Sequence, residues 1–87
     1  MAYKLDIPDH LDKIFLKLSK KDRKQLESIH KKINEIVVNP HHYKPLRGDM
    51  HGALRVHIHK SFVLTYEIDE KNKVVRLLDY DHHDNIY

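Results

Sequence analysis

Cysteine is absent from this chain. Neither a disulfide framework nor a cysteine-ligated zinc site is therefore available, which fits a reducing cytoplasm. Glycine and proline are scarce, two and three among 87 residues, and that scarcity argues against disorder or low complexity. No apolar run approaches the roughly 18 residues of a membrane span. The opening MAYKLDIPDH lacks the basic-then-apolar pattern of a secretory signal. These absences lead to the expectation of one cytoplasmic domain over residues 1–87, without a membrane partner. So short a chain buries only about 60–65% of its unfolded surface, so its core must be economical.

What the chain does hold is unevenly distributed charge. The net charge is +3 and the pI about 9.1. Lys13, Lys17, Lys20, Lys21, Arg23, Lys24, Lys31 and Lys32 crowd into one stretch, and eight of the nine histidines follow residue 29. A basic surface of this kind suits a polyanion such as RNA. A solvated helical face is the competing reading of the same lysines.

Hydrophobic periodicity organises the rest. Tyr3, Leu5 and Ile7 alternate with Lys4 and Asp6 over 2–7, as in a half-buried strand ended by Pro8. Leu11, Ile14, Phe15 and Leu18 recur at helical spacing. Ser19 followed by Asp22 reads as a fresh helix start, a weak capping box. A second helical face, Leu26, Ile29, Ile33, Ile36 and Val37, runs to the stop at Asn39-Pro40. Residues 8–38 are thus expected to form a helical hairpin. After an irregular stretch from His41 to Gly52, residues 53–59 alternate strictly, with Leu54, Val56 and Ile58 facing one way and Arg55, His57 and His59 the other. Strands are expected again at 62–68 and 74–80, with turns near Lys60-Ser61 and over 69–73. The order β-α-α-β-β-β implies an α+β fold, the helical hairpin packed on one face of a twisted, largely antiparallel sheet. Nothing evident in the chain is left to cover the face bearing Arg55, His57 and His59, which is where a site is expected.

Those residues suit the cutting of RNA without a metal. Such a reaction needs a group to deprotonate the ribose 2′-OH, a cation to stabilise the phosphorane and an acid for the leaving 5′-oxygen. Histidine titrates near neutral pH, and the arginine fork matches a phosphate. Arg47, Arg55, His57, His59, His82, His83 and Tyr87 supply these groups. Alternatives stay open at each. Arg55 could simply pair with Glu67 or another carboxylate, His57 and His59 could chelate zinc with His82 or His83, and His41, His42, Lys44 and Arg47 could be loop residues in solvent. Tyr3, Tyr43, Tyr66 and Tyr80 are expected to pack.

The segments AYKLDIP, INEIVVNP, YKPLRGDMHGALRVHIHKSFVLTYEID and DYDHHDNIY, in this order and spacing, resemble the RelE toxins of the RelE/ParE superfamily. The resemblance spans nearly the whole chain. It implies a microbial RNase-like fold and a type II toxin acting as a messenger-RNA endoribonuclease on the ribosome. It also implies contacts to ribosomal RNA, a RelB-like antitoxin that blocks the RNA surface, and no metal or other cofactor. Position by position, Arg47 falls on the arginine of the family's Leu-Arg-Gly loop, and Lys44 is expected to hold the RNA backbone with it. Arg55 and His57 fall on two cationic strand positions that are lysines in RelE, and YafQ toxins have histidine where His57 stands. His82 and His83 lie where RelE has arginines and where YafQ and YoeB use histidine, and Tyr87 falls on the catalytic tyrosine. The expected catalytic set is therefore Arg55, His57, His82, His83 and Tyr87, with Lys44, Arg47 and His59 holding RNA. Two RelE arginines are missing, with Val63 at one position and Asp81 at or beside the other, which points to a histidine-assisted mechanism nearer that of YafQ. A catalytically silent binding or repressor module on the same fold is the alternative those two positions support. Many relatives continue past the tyrosine into a short helix, whereas this chain stops there.

Overall fold

The computed structural model describes residues 2–45 and 53–86. Strand β1 (Lys4–Asp6) leads into α1 (Asp9–Lys21) and α2 (Arg23–Val38). A 3-10 turn (Pro40–His42) then precedes β2 (Lys44–Pro45), β3 (Ala53–Ile58), β4 (Phe62–Asp69), β5 (Val74–His82) and α3 (His83–Ile86). The five strands lie in the order β1-β5-β4-β3-β2, with β1 parallel to β5 and the other pairs antiparallel. This is the expected α+β architecture. Three short elements, β2, the 3-10 turn and α3, were not legible in the hydrophobic pattern, because each is too short to show a period.

The two helices bury the faces their spacing predicts. Leu11 and Phe15 of α1 and Ile29, Ile33 and Ile36 of α2 meet Val56, Ile58, Leu64, Tyr66, Val75, Leu77 and Tyr80 in one core. The break between the helices is not at Ser19, which lies inside α1 and donates to the Leu16 carbonyl. It falls at Asp22, whose carboxylate accepts from the Gln25 amide N–H at 3.1 Å and so supplies one of the bonds the new helix lacks at its start. The Gln25 side chain binds the other Asp22 oxygen and accepts from the buried Tyr80 hydroxyl at 2.6 Å. The cap is thereby tied to the central sheet. Tyr66 makes a similar tie, donating to the Pro40 carbonyl at 2.7 Å.

Cross-strand register sorts the residues by face. Val56 pairs with Leu64, and Leu64 with Tyr80, all under the helices. Arg55 pairs with Thr65, and His57 with Val63 and through it Asp81, on the outer face. A bulge at Thr65/Tyr66 shifts the β4–β5 register midway. The outer face is not left bare as the sequence suggested. Val63 is 0% exposed and Thr65 2%, and α3 folds back against β4 and β5, with Asn85 donating to Asp81. Strand β1 is more exposed than its alternation implies, Leu5 being 39% accessible, because an edge strand has a neighbour on one side only.

Candidate functional site

Two of the expected residues, Arg55 and His57, stand two positions apart on β3 and point to the outer face. Arg55 is half-buried with its Nε out of solvent contact, while His57 is exposed. Glu67, the carboxylate the sequence offered as a partner for Arg55, lies across from Ala53 and accepts from Arg76 at 2.8 Å. Asp6 flanks the same Arg76.

Strand β2 reaches along β3 only to Arg55. Beyond that point the chain turns away through Pro40–His42, and an open groove of about 470 Å³ forms, lined by Lys32, His42, Tyr43, Arg55, Val56 and His57. The structure thus adds Lys32, His42 and Tyr43 to the site. Sequence reading left them as a wet lysine, a loop histidine and a packing tyrosine, since only the tertiary fold brings α2 and the 3-10 turn beside β3. His42 and Tyr43 meet edge to face, ring centroids 5.0 Å apart. The Tyr43 hydroxyl donates to Glu35 Oε2 at 2.7 Å. Partial burial, together with that carboxylate, pushes the Tyr43 hydroxyl up to about 12. The same hydrogen bond, with Lys32 nearby, holds Glu35 below the ordinary carboxylate range.

Two further expected residues, His59 and His82, do not line this groove. His59 leaves the strand alternation: it sits in the β3–β4 turn at φ 54°, and its Nε2 lies 2.8 Å from Ser28 Oγ of α2. It therefore faces the helices, contrary to the expectation that it shares a face with Arg55 and His57. The left-handed turn re-aims the side chain, and alternation holds only within a strand. There it lines a second basic groove with Lys24, Glu27, Ser28 and Lys31. His82 pairs in register with Phe62, and its ring meets the Phe62 ring at 5.6 Å. Phe62 in turn stacks on Tyr80, so His82 lies on the helix side with the sheet between it and His57. Arg47 and Tyr87 lie outside the described residues, as do the side chains of Lys44 and His83. Among the described residues no three His, Asp or Glu side chains converge on a point that could hold a metal ion, and no helix is long and apolar enough to cross a membrane.

Chemically, the β3 groove offers a guanidinium, an ammonium, two imidazoles and an aromatic ring on one open surface. That set can bind a phosphodiester, carry protons and stack a base.

Comparison with known proteins gives a consistent result. The family model for the ParE-like toxin of type II bacterial toxin-antitoxin systems matches residues 8–87. A Methanocaldococcus jannaschii protein named as toxin RelE4 is 56% identical over 85 residues, which cover 98% of this chain and 90% of the relative. The isolated E. coli RelE toxin superposes with a TM-score of 0.72 at 28% identity, over 93% of this chain and 84% of RelE. The RelBE2 toxin–antitoxin complex from Mycobacterium tuberculosis contains a chain of the same fold, with a TM-score of 0.77 at 21% identity, over 95% of this chain and 100% of that one.

Proposed function

This chain belongs to the RelE/ParE superfamily of type II toxins, and from that premise we propose that it is an endoribonuclease that cuts messenger RNA by attack of the ribose 2′-OH. As the toxin of a type II system its protein partner is a cognate antitoxin, as in the RelBE2 complex; that partner is RelB-like and masks the RNA surface. The observation that carries the enzymatic reading is the β3 groove, where Arg55 and His57 stand with Lys32, His42 and Tyr43 on one accessible surface.

Attack by the 2′-oxygen breaks the bond to the 5′-oxygen and leaves a 2′,3′-cyclic phosphate and a 5′-hydroxyl. Arg55 neutralises the charge that grows on the phosphorane. His57 takes or returns a proton, and His42, in the same groove, is a second imidazole for the opposite transfer. Tyr87 and His83 keep the roles the resemblance gives them, and Arg47 and Lys44 hold the backbone of the RNA. His82, turned to the other face, acts on the position of this C-terminal segment and not on the phosphate. The lysines of the two helices dock on ribosomal RNA, so that the ribosome delivers the message in a reactive orientation, a contribution that can reach about 7–11 kcal/mol.

A message carrying a single 2′-O-methyl sugar on the 5′ side of the cut, presented on ribosomes, tests the chemistry. Cleavage should stop at that bond alone and continue elsewhere, and an unchanged cut there would exclude 2′-OH attack. Arg55→Ala should lower the rate about 10²–10³-fold, the usual loss for one donor to a developing oxyanion. The binding-module alternative has an observation in its favour, the fully buried Val63 and the Asp81 carboxylate beside α3 where RelE-like sites carry cations. It requires growth arrest on expression to be indifferent to Arg55→Ala.

A further inference from the structure

Along α2 a larger groove, about 700 Å³, adjoins the β3 groove and shares Lys32, His42 and Tyr43 with it. Its further lining includes Glu35, Asn39 and Val38. We propose that this groove is a nucleobase subsite, holding a base of the same RNA whose phosphate lies on Arg55, and that Glu35 makes it prefer bases with an exocyclic amino group over uracil. The proposal rests on the RNA reading above and adds to it a determinant of base preference.

Three features carry it. The shared residues make the two grooves continuous, so a nucleotide bound by its phosphate at Arg55 has its base within reach of Tyr43. The apolar and aromatic lining is present where a base would lie: Val38 is 69% exposed despite its type, and the Tyr43 ring is fixed at both ends, by the His42 ring edge to face and by its hydroxyl on Glu35. A ring so held loses little freedom when a base stacks on it. Last, the Tyr43 hydroxyl and Lys32 Nζ, the latter at 3.6 Å, both approach Glu35 at Oε2. That arrangement favours the ionised carboxylate and, among the described residues, leaves Oε1 to accept from a ligand.

A carboxylate oxygen is acceptor only. It can take the amino N–H of cytosine or adenine, or the neighbouring N–H donors of guanine. Uracil offers one N–H set between two carbonyl oxygens, which a carboxylate repels. Because Glu35 is partly in solvent, with 46% of its side chain accessible, the discrimination should be modest, about 3- to 10-fold.

Uncleavable 2′-O-methyl hexamers of adenosine, cytidine and uridine, each followed by fluorescence anisotropy on the full chain, test this. The adenosine and cytidine hexamers should bind about 3- to 10-fold tighter than the uridine one. Glu35→Gln, whose amide can both donate and accept, should collapse that ranking. Tyr43→Ala should weaken all three about 5- to 150-fold through lost stacking, whereas Tyr43→Phe, with helical content checked by circular dichroism, should keep most of the affinity. A ranking that survives Glu35→Gln, or wild-type affinity in Tyr43→Ala, overturns the subsite. If binding is lost in Arg55→Ala while the ranking ignores Glu35, the subsite alone fails. If no hexamer binds at low salt, the RNA reading itself fails and the subsite with it.

Discussion

Glu70, at the β4–β5 turn, gathers three donors: Lys73 Nζ, three residues on, at 2.8 Å, and from distant parts of the chain the His41 ring and the Tyr3 hydroxyl at 3.0 Å. Lys73 also lies over the Tyr3 ring, 5.3 Å from its centroid. Lys73 first, then His41 and Tyr3, hold the Glu70 carboxyl down at about 2. Its folded value lies below its unfolded one, so this contribution to stability is fully present above about 4.5 and fades as the pH falls toward 2. In acid titrations of thermal stability, Glu70→Gln should flatten the loss across that window, and salt should blunt the difference because the site is exposed. A wild-type-like acid profile in the variant would remove the clamp from the account. Tyr80 gives the buried counterpart. Burial pushes its hydroxyl upward, and that hydroxyl donates to Gln25 Oε1. Tyr80→Phe should cost about 1–3 kcal/mol in urea unfolding, since it strands the buried Gln25 oxygen.

Among the elements, α2 carries the most consequences. It is capped by Asp22, its inner face supplies Ile29, Ile33 and Ile36, and its outer face lines all three grooves. Asp22→Ala should destabilise by about 0.5–2 kcal/mol in the same unfolding measurement, with Tyr80 feeling the change through Gln25. Ile33→Ala should cost about 2–5 kcal/mol, a large share of what a domain at roughly 0.05–0.15 kcal/mol per residue possesses. The inner face was legible because its spacing is a direct consequence of 3.6 residues per turn. The start of α2 was not. Ser19 and Asp22 both cap well, and the choice depends on which one the packed hairpin leaves at the break. The same limit applies to β3: alternation places Arg55 and His57 correctly, yet gives no warning that His59 turns back to Ser28 once the strand ends.

At the scale of the whole molecule, +3 net charge sits on a chain whose cations include groups on both helices, in the β3 groove and in the turn near His59. Binding of single-stranded RNA should therefore fall with salt, and each phosphate contact removed should reduce the logarithmic slope by about 0.7. Arg55→Ala should show that decrement in a salt titration; an unchanged slope would mean that Arg55 touches no phosphate. Charge reversal at Lys20, Lys21 and Lys24 should slow cutting on ribosomes and leave any cutting of free RNA unaltered. Equal losses in both assays would take the helices out of ribosome docking. The absence of cysteine, the helical and strand periods, and the order of motifs determined the fold class, the core faces and the family from the sequence alone, because each is a local or serial property of the chain. Which cations share a surface is not serial. His42, Tyr43 and Lys32 join Arg55 and His57 only because β2 stops short and α2 packs over β3, and His82 is parted from them because one step along a strand moves a side chain through the sheet.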